Sequence, residues 1–122
     1  MEKNLQKTLQ EVPANKLFLG VPFYTKRWEH IEEQGKTTYK GKTFFMDDVN
    51  TVVQTHKLQP QWRSDYGLSY LEYEEDGKSY HVWVESKDSL ALKTALARTY
   101  QLAGLACWRL GFETPEIWPL LP

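Results

Sequence analysis

The sequence predicts an α/β chain, and three observations carry that reading. Two short apolar runs, Lys16–Tyr24 and Gly104–Glu113, have the character of strands buried on both faces, as in a parallel sheet. A stretch of helical periodicity directly precedes the second run, which is the order of a strand–helix–strand unit. Between them the pattern changes to period two, so a small α+β segment is inserted after the first strand.

The elements follow in order. Leu5, Leu9 and Val12 repeat at helical spacing over 2–12, and Pro13 ends that helix. The first apolar run continues to Tyr24, although Pro22 should disturb normal ladder pairing near its end. Residues 25–43 are polar, with Gly35 and Gly41, and read as a loop or weak hairpin. Met46 to Leu58 reads as a helix, with Asp47 and Asp48 in a favourable first turn.

Period two begins after Trp62. Leu68, Tyr70, Glu72 and Glu74 alternate with Ser69, Leu71 and Tyr73, and Tyr80-His81-Val82-Trp83-Val84 answers across a turn at Glu75-Asp76-Gly77-Lys78. An Asp-Gly pair between aromatic and β-branched runs is a strong hairpin signal. Ser86 or Asp88 can cap the next helix, along which Leu92, Leu96 and Tyr100 form a stripe. Gly104 separates that helix from the last strand, and Pro115 suits the first position of a short closing turn or helix.

Composition narrows the function. The 122 residues fit one domain, and a formal net charge of −1 makes no electrostatic case for nucleic acid or an anionic membrane surface. No apolar stretch approaches the roughly 18 residues that span a bilayer. The first residues lack the apolar core of a signal peptide, which leaves a secreted origin open. A single cysteine, Cys107, excludes an internal disulfide framework. Aromatic residues make up 14% of the chain, with five tryptophans, which fits an aromatic-lined cleft as well as an aromatic core. No cofactor motif is present, and His30, His56 and His81 lack metal-ligand spacing. In parallel α/β architectures the carboxyl ends of strands face the ligand, which puts Trp108, Arg109 and Glu113 where function is expected. Two parallel strands alone would leave apolar strands with unpaired edges, so the chain reads as a piece of something larger, or as one that associates.

The two strand motifs carry a family resemblance. Lys16-Leu17-Phe18-Leu19-Gly20-Val21-Pro22-Phe23-Tyr24 resembles the seventh barrel strand of glycoside hydrolase family 18, an apolar run followed by G-[IV]-P-x-Y-G-R. Leu102-Ala103-Gly104-Leu105-Ala106-Cys107-Trp108 is similar to the eighth strand, a small-residue run ending in tryptophan. The likeness is strongest to bacterial members related to spore-cortex N-acetylglucosaminidases. It implies a C-terminal fragment of a (β/α)8 TIM barrel, strands 7 and 8, carrying an α+β insertion that walls one side of the groove. The implied organisation is a single partial domain, with a helix and strand 7 in 1–24, the insertion in 25–85, and the last helices and strand 8 in 86–122. A complete barrel needs roughly 200 residues or more. The family's D-x-x-D-x-D-x-E motif, whose glutamate is the catalytic acid of a substrate-assisted mechanism, does not occur here, and Asp47-Asp48 and Glu72-Tyr73-Glu74-Glu75 have the wrong spacing. The chain alone is therefore expected to be inactive.

What the resemblance implies for single residues stands beside a plainer reading of each. Trp108 would floor the subsite of the sugar to be cleaved, or be a core tryptophan. Tyr24 and Trp28 would reach the cleft, or pack. Thr25 and Lys26 replace the usual glycine and arginine, and lysine loses the planar fork of a bidentate contact. Arg109 and Glu113 would bind sugar hydroxyls or flanking groups, or pair with each other or a neighbouring loop. Trp62 and Tyr70 would line the groove, or fill the insertion's own core. Trp118 reads as an anchor, Trp83 as packing and Cys107 as an inert small hydrophobe. Two functions follow. One is a glycosidase segment acting on β-1,4-linked N-acetylglucosamine glycans, peptidoglycan or chitin, at the cell envelope, in the spore or outside the cell, completed by a missing N-terminal segment or a second copy. The other is a non-catalytic glycan-binding or structural domain that self-associates.

Overall fold

A computed structural model describes residues 1–121; Pro122, the last residue of the expected 86–122 segment, lies outside the described residues. Strands β1 (Phe18–Pro22) and β7 (Gly104–Trp108) form a two-stranded parallel sheet, in register from Phe18 opposite Gly104 to Pro22 opposite Trp108. Everything between them is the crossover. Side chains of a strand alternate between faces, and here the two faces have different fates. Leu19, Val21, Leu105 and Cys107 turn inward onto Phe23, Met46, Leu90 and Ile117. Phe18, Gly20, Ala106 and Trp108 turn outward and are exposed. The expectation that both runs are buried on both faces is therefore corrected. One face of this sheet is bare, and both its outer edges are unpaired.

The first apolar run does not continue through Tyr24. Proline lacks a backbone N–H and cannot donate to a ladder, and β1 ends at Pro22. Phe23 follows as the pivot: its backbone N–H donates to the Trp108 carbonyl at 2.7 Å, and its ring is buried edge-on to Trp118 at 6.2 Å. Tyr24 then opens β2 (Tyr24–Glu33) of a second sheet.

Residues 25–43 are no loop or weak hairpin. β2 and β3 (Lys36–Phe45) make a ten-rung antiparallel hairpin turning at Gln34-Gly35, both at positive φ of 51° and 73°. That is the handedness that matches strand twist. The run hid because its outer half is solvated, so an alternating strand presents no apolar stripe there. β4 (Gln61–Arg63), β5 (Leu68–Glu75) and β6 (Lys78–Val84) complete a five-stranded sheet ordered β3-β2-β6-β5-β4, with the expected Asp76-Gly77 turn between the last two. Helix α2 (Met46–Thr55), ending three residues before the expected Leu58, covers one face. Asp48 accepts the Phe45 N–H at its start. Phe44, Val49, Leu71, Tyr73, Tyr80, Val82 and Val84 form the core beneath it.

Helix α1 (Glu2–Thr8) is shorter than the expected 2–12 and gives way to turns before Pro13. Helix α3 (Lys87–Thr99) follows the Ser86 N-cap, but buries Ser89, Leu90, Thr94 and Ala97 rather than the Leu92–Leu96–Tyr100 stripe. Its buried side mixes Leu90 and Ala97 with Ser89 and Thr94, and an ion pair lies beside it. Glu85, at the end of β6, accepts the Ser89 hydroxyl at 2.6 Å and lies 2.5 Å from the Lys93 ammonium. The Glu85 backbone N–H in turn donates to the Thr25 hydroxyl on β2 at 2.9 Å. Leu92, left outside, is about half exposed.

Candidate functional site

The expected site residues fall on two surfaces that meet. Trp108 ends β7 on the bare face of the parallel sheet, 67% exposed, and the peptide bond to Arg109 is cis. In this chain the indole has no packing partner over most of its surface. The strand ends there, so Arg109 and Glu113 lie beyond it. They are not paired with each other. The Arg109 guanidinium lies over the Phe112 ring at 4.6 Å, and the Glu113 carboxylate accepts the Gly111 N–H at 2.7 Å. Phe112 stacks on Phe45 with ring centres 4.1 Å apart, and its carbonyl accepts the Met46 N–H at 3.0 Å. The segment after Trp108 is thereby fastened to the start of α2.

Phe45 pairs with Tyr24 across β2 and β3. From that rung the period-two rule carries one face along the whole sheet. Tyr24, Lys26, Trp28 and His30 of β2 share it with Tyr39, Gly41 and Thr43 of β3, Trp83 and His81 of β6, and Tyr70 and Glu72 of β5. This is the face that α2 does not cover. Lys26 donates to the Thr43 hydroxyl at 2.7 Å, and its ammonium lies over the Tyr24 ring at 5.9 Å. The Trp28 indole lies against Gly41, where a Cβ would come 2.8 Å from Cζ3. Glycine on β3 is what lets that ring lie down on the sheet.

Tyr70 sits in a polar knot. Its hydroxyl is 2.6 Å from the Glu72 carboxylate and 2.6 Å from His81 Nδ1. Burial, together with the Glu72 carboxylate, pushes the phenol up to about 12, so it remains a neutral donor. Its ring also packs on Trp83 at 4.7 Å, and Trp83 on Tyr66 at 4.9 Å. Burial likewise raises the Cys107 thiol, with the Glu113 carboxylate adding to it, which disfavours the thiolate.

Trp62 does not join the other aromatics. It pairs with Ser69, one residue out of phase with Tyr70, and so belongs to the opposite face of the sheet. Three features were not anticipated from the sequence. His30 stacks on Tyr39 at 5.3 Å and lies 5.8 Å from His81, the Phe45–Phe112 stack bridges the two surfaces, and Glu85–Lys93 ties α3 to the end of β6. The first was readable, because Tyr24, Lys26, Trp28 and His30 alternate once 24–33 is taken as a strand.

Known proteins give this arrangement a context. The profile of the Glycosyl hydrolases family 18 matches residues 1–113. The glycosylase YvbX of Bacillus subtilis is 24% identical over 97% of this chain and 33% of its own length. A cortical fragment-lytic enzyme of Bacillus cereus is 25% identical over 96% of this chain and 27% of its own. Among solved structures, a chitinase from Chromobacterium violaceum superposes with a TM-score of 0.86 at 28% identity, over 98% of this chain and 36% of that one. The chain thus spans about a third of the proteins it matches. With the profile covering nearly every residue, this chain belongs to glycosyl hydrolases family 18.

Proposed function

We propose that this chain is the C-terminal segment of a family 18 glycosidase acting on β-1,4-linked N-acetylglucosamine glycans, peptidoglycan or chitin. In this reading β1 and β7 are the seventh and eighth strands of a (β/α)8 barrel, and 25–85 is the insertion that walls the groove. The observation that carries it is the open indole of Trp108 at the carboxyl end of a parallel strand whose opposite face is packed. An indole face suits the apolar face of a pyranose, while neighbouring polar groups take its hydroxyls. Tyr24, Trp28 and Tyr70 on the uncovered sheet face, with Arg109 and Glu113 beyond Trp108, are the further contacts. Trp62 is assigned to the other face and leaves the set.

The segment supplies positioning and not proton transfer, since the carboxylate motif of the family does not occur in these residues. The two open edges of the parallel sheet are where the remaining barrel strands would pair, leaving the Trp108 face to the substrate. The names of the matched relatives, a glycosylase and a cortical fragment-lytic enzyme, favour a cell-envelope or spore glycan. Titrating tryptophan fluorescence with N-acetylglucosamine oligomers tests the reading. A saturable change that disappears in Trp108→Ala supports a sugar contact at Trp108, no response at millimolar sugar removes that contact, and absence of D-x-x-D-x-D-x-E from sequence encoded upstream overturns the glycosidase reading.

The open edges also favour a second reading, a glycan-binding domain that self-associates through them. Sedimentation decides this one: concentration-dependent dimers are expected, and a monomer at high concentration removes it.

A further inference from the structure

Phe45 breaks a local rule. It occupies the N-cap of α2, directly before Met46, where a side-chain oxygen normally accepts a backbone N–H of the first turn. A phenyl ring has no such oxygen, and this one is 42% exposed, so core burial does not account for it either. What the ring has instead is Phe112, stacked on it with centres 4.1 Å apart and planes 22° from parallel.

The other face of Phe112 is also taken. The Arg109 guanidinium lies over that ring at 4.6 Å, which makes a three-layer stack of Phe45, Phe112 and Arg109. Arg109 directly follows Trp108, so the stack closes the turn by which the chain leaves the indole. Within that turn the Phe112 N–H donates to the Arg109 carbonyl at 3.2 Å. Before the turn, the Trp108 carbonyl accepts the Phe23 N–H at 2.7 Å. The indole is mostly exposed, so its own packing leaves its direction open, and the backbone on either side must limit its rotamers. One side is held by the parallel sheet. The other is held by a ring that the insertion carries.

We propose that Phe45 and Phe112 are positioning residues for the Trp108 platform, an inference that rests on the sugar contact proposed above. The stack holds Arg109, and through it the backbone after Trp108, so that the indole offers its face in one orientation. The insertion thereby sets the geometry of a platform that belongs to the parallel sheet. Two further contacts do not depend on the Phe45 ring. The Met46 N–H donates to the Phe112 carbonyl at 3.0 Å, and the Thr114 hydroxyl to Met46 Sδ at 3.6 Å. Loss of the stack therefore loosens the platform and leaves the fold in place.

Phe45→Ser is the test, because serine is a favoured N-cap and keeps α2 intact. Two quantities are measured on the 122-residue chain. One is the indole N–H NMR signal of Trp108, assigned by its disappearance in Trp108→Ala, and the other is the affinity for tetra-N-acetylchitotetraose. The signal should move or broaden, and the affinity should fall about two- to tenfold, the range an aromatic stack can supply. The melting temperature should stay within a few degrees. Phe45→Tyr, which keeps the ring, should restore both quantities. Phe112→Leu should reproduce the loss, and joining it to Phe45→Ser should add nothing, as for two residues of one contact. An unmoved Trp108 signal overturns the proposal, and if affinity is nevertheless lost, Phe45 touches the sugar itself. A moved signal with unchanged affinity overturns it as well, while a sugar contact that Trp108→Ala abolishes still stands. Collapse of the melting temperature in both Phe45→Ser and Phe112→Leu marks a merely structural stack and defeats the proposal. Binding of no sugar by the unsubstituted chain removes the sugar contact, and the positioning role with it.

Discussion

The Lys93 ammonium lies 2.5 Å from each carboxyl oxygen of Glu85, joining the end of β6 to the middle of α3. The carboxylate is 6% exposed and the lysine side chain 13%, so water does little to screen them. Ser89 and Thr25 satisfy the groups around the pair. Removing one partner strands a buried charge, at a cost of about 3–5 kcal/mol. Lys93→Met should therefore lower the denaturant midpoint strongly. The double variant Glu85→Gln, Lys93→Met should recover much of that loss, because it leaves no bare charge. Urea unfolding of the three proteins measures the difference.

Trp108 and Ile117 should behave oppositely. Ile117 is 0% exposed, between Phe23 and Leu90, and Ile117→Ala should cost about 2–5 kcal/mol through the cavity it leaves. Trp108→Ala deletes a larger side chain, yet its indole is mostly in water. Stability should change by less than about 1 kcal/mol. Thermal melts of the two variants check the contrast.

Gly41→Val should dislodge Trp28. The new Cβ would meet the indole at 2.8 Å, closer than packed carbon atoms approach, and the half-open ring has solvent to swing into. Tryptophan emission should shift to the red while the melting temperature moves little. An unchanged spectrum would mean that the ring does not lie on Gly41.

Alkaline titration should single out Tyr70. Its phenol ionises at about 12 in the folded chain and near 10 in the unfolded one. The folded state thus holds its proton longer, so this contribution to stability is fully present below pH 10 and is lost as pH rises toward 12. Tyr70→Phe should remove a phenolate step near pH 12 from the ultraviolet absorbance curve. It should also flatten the fall in stability over that window.

The sequence was most legible where hydrophobic pattern and turn chemistry agree. Asp76-Gly77 and its flanking alternation, the capping position of Ser86 and the parallel strands all stood out for that reason. It was least legible where water replaces a packing partner. β2 and β3 carry Thr, Lys and Glu on their outer half, so their strand period was drowned in polarity until the backbone ladder revealed it. The α3 stripe misled because the buried side of that helix mixes Leu90 and Ala97 with Ser89 and Thr94, a pattern that no apolar template detects. The end of the last parallel strand at Trp108 was legible because the short apolar run stops there. The aromatic surface around it required pairing register, which brings Phe45 and Tyr24, twenty-one residues apart, onto one rung.

The Thr25 hydroxyl and the Glu85 backbone N–H, 2.9 Å apart, mark where the five-stranded sheet is entered and left. The chain goes out and returns to the same spot. An excursion with coincident ends can be lengthened, shortened or exchanged without changing the distance the remaining backbone must bridge. A change of length within the five-stranded sheet therefore leaves the spacing of the parallel strands unchanged.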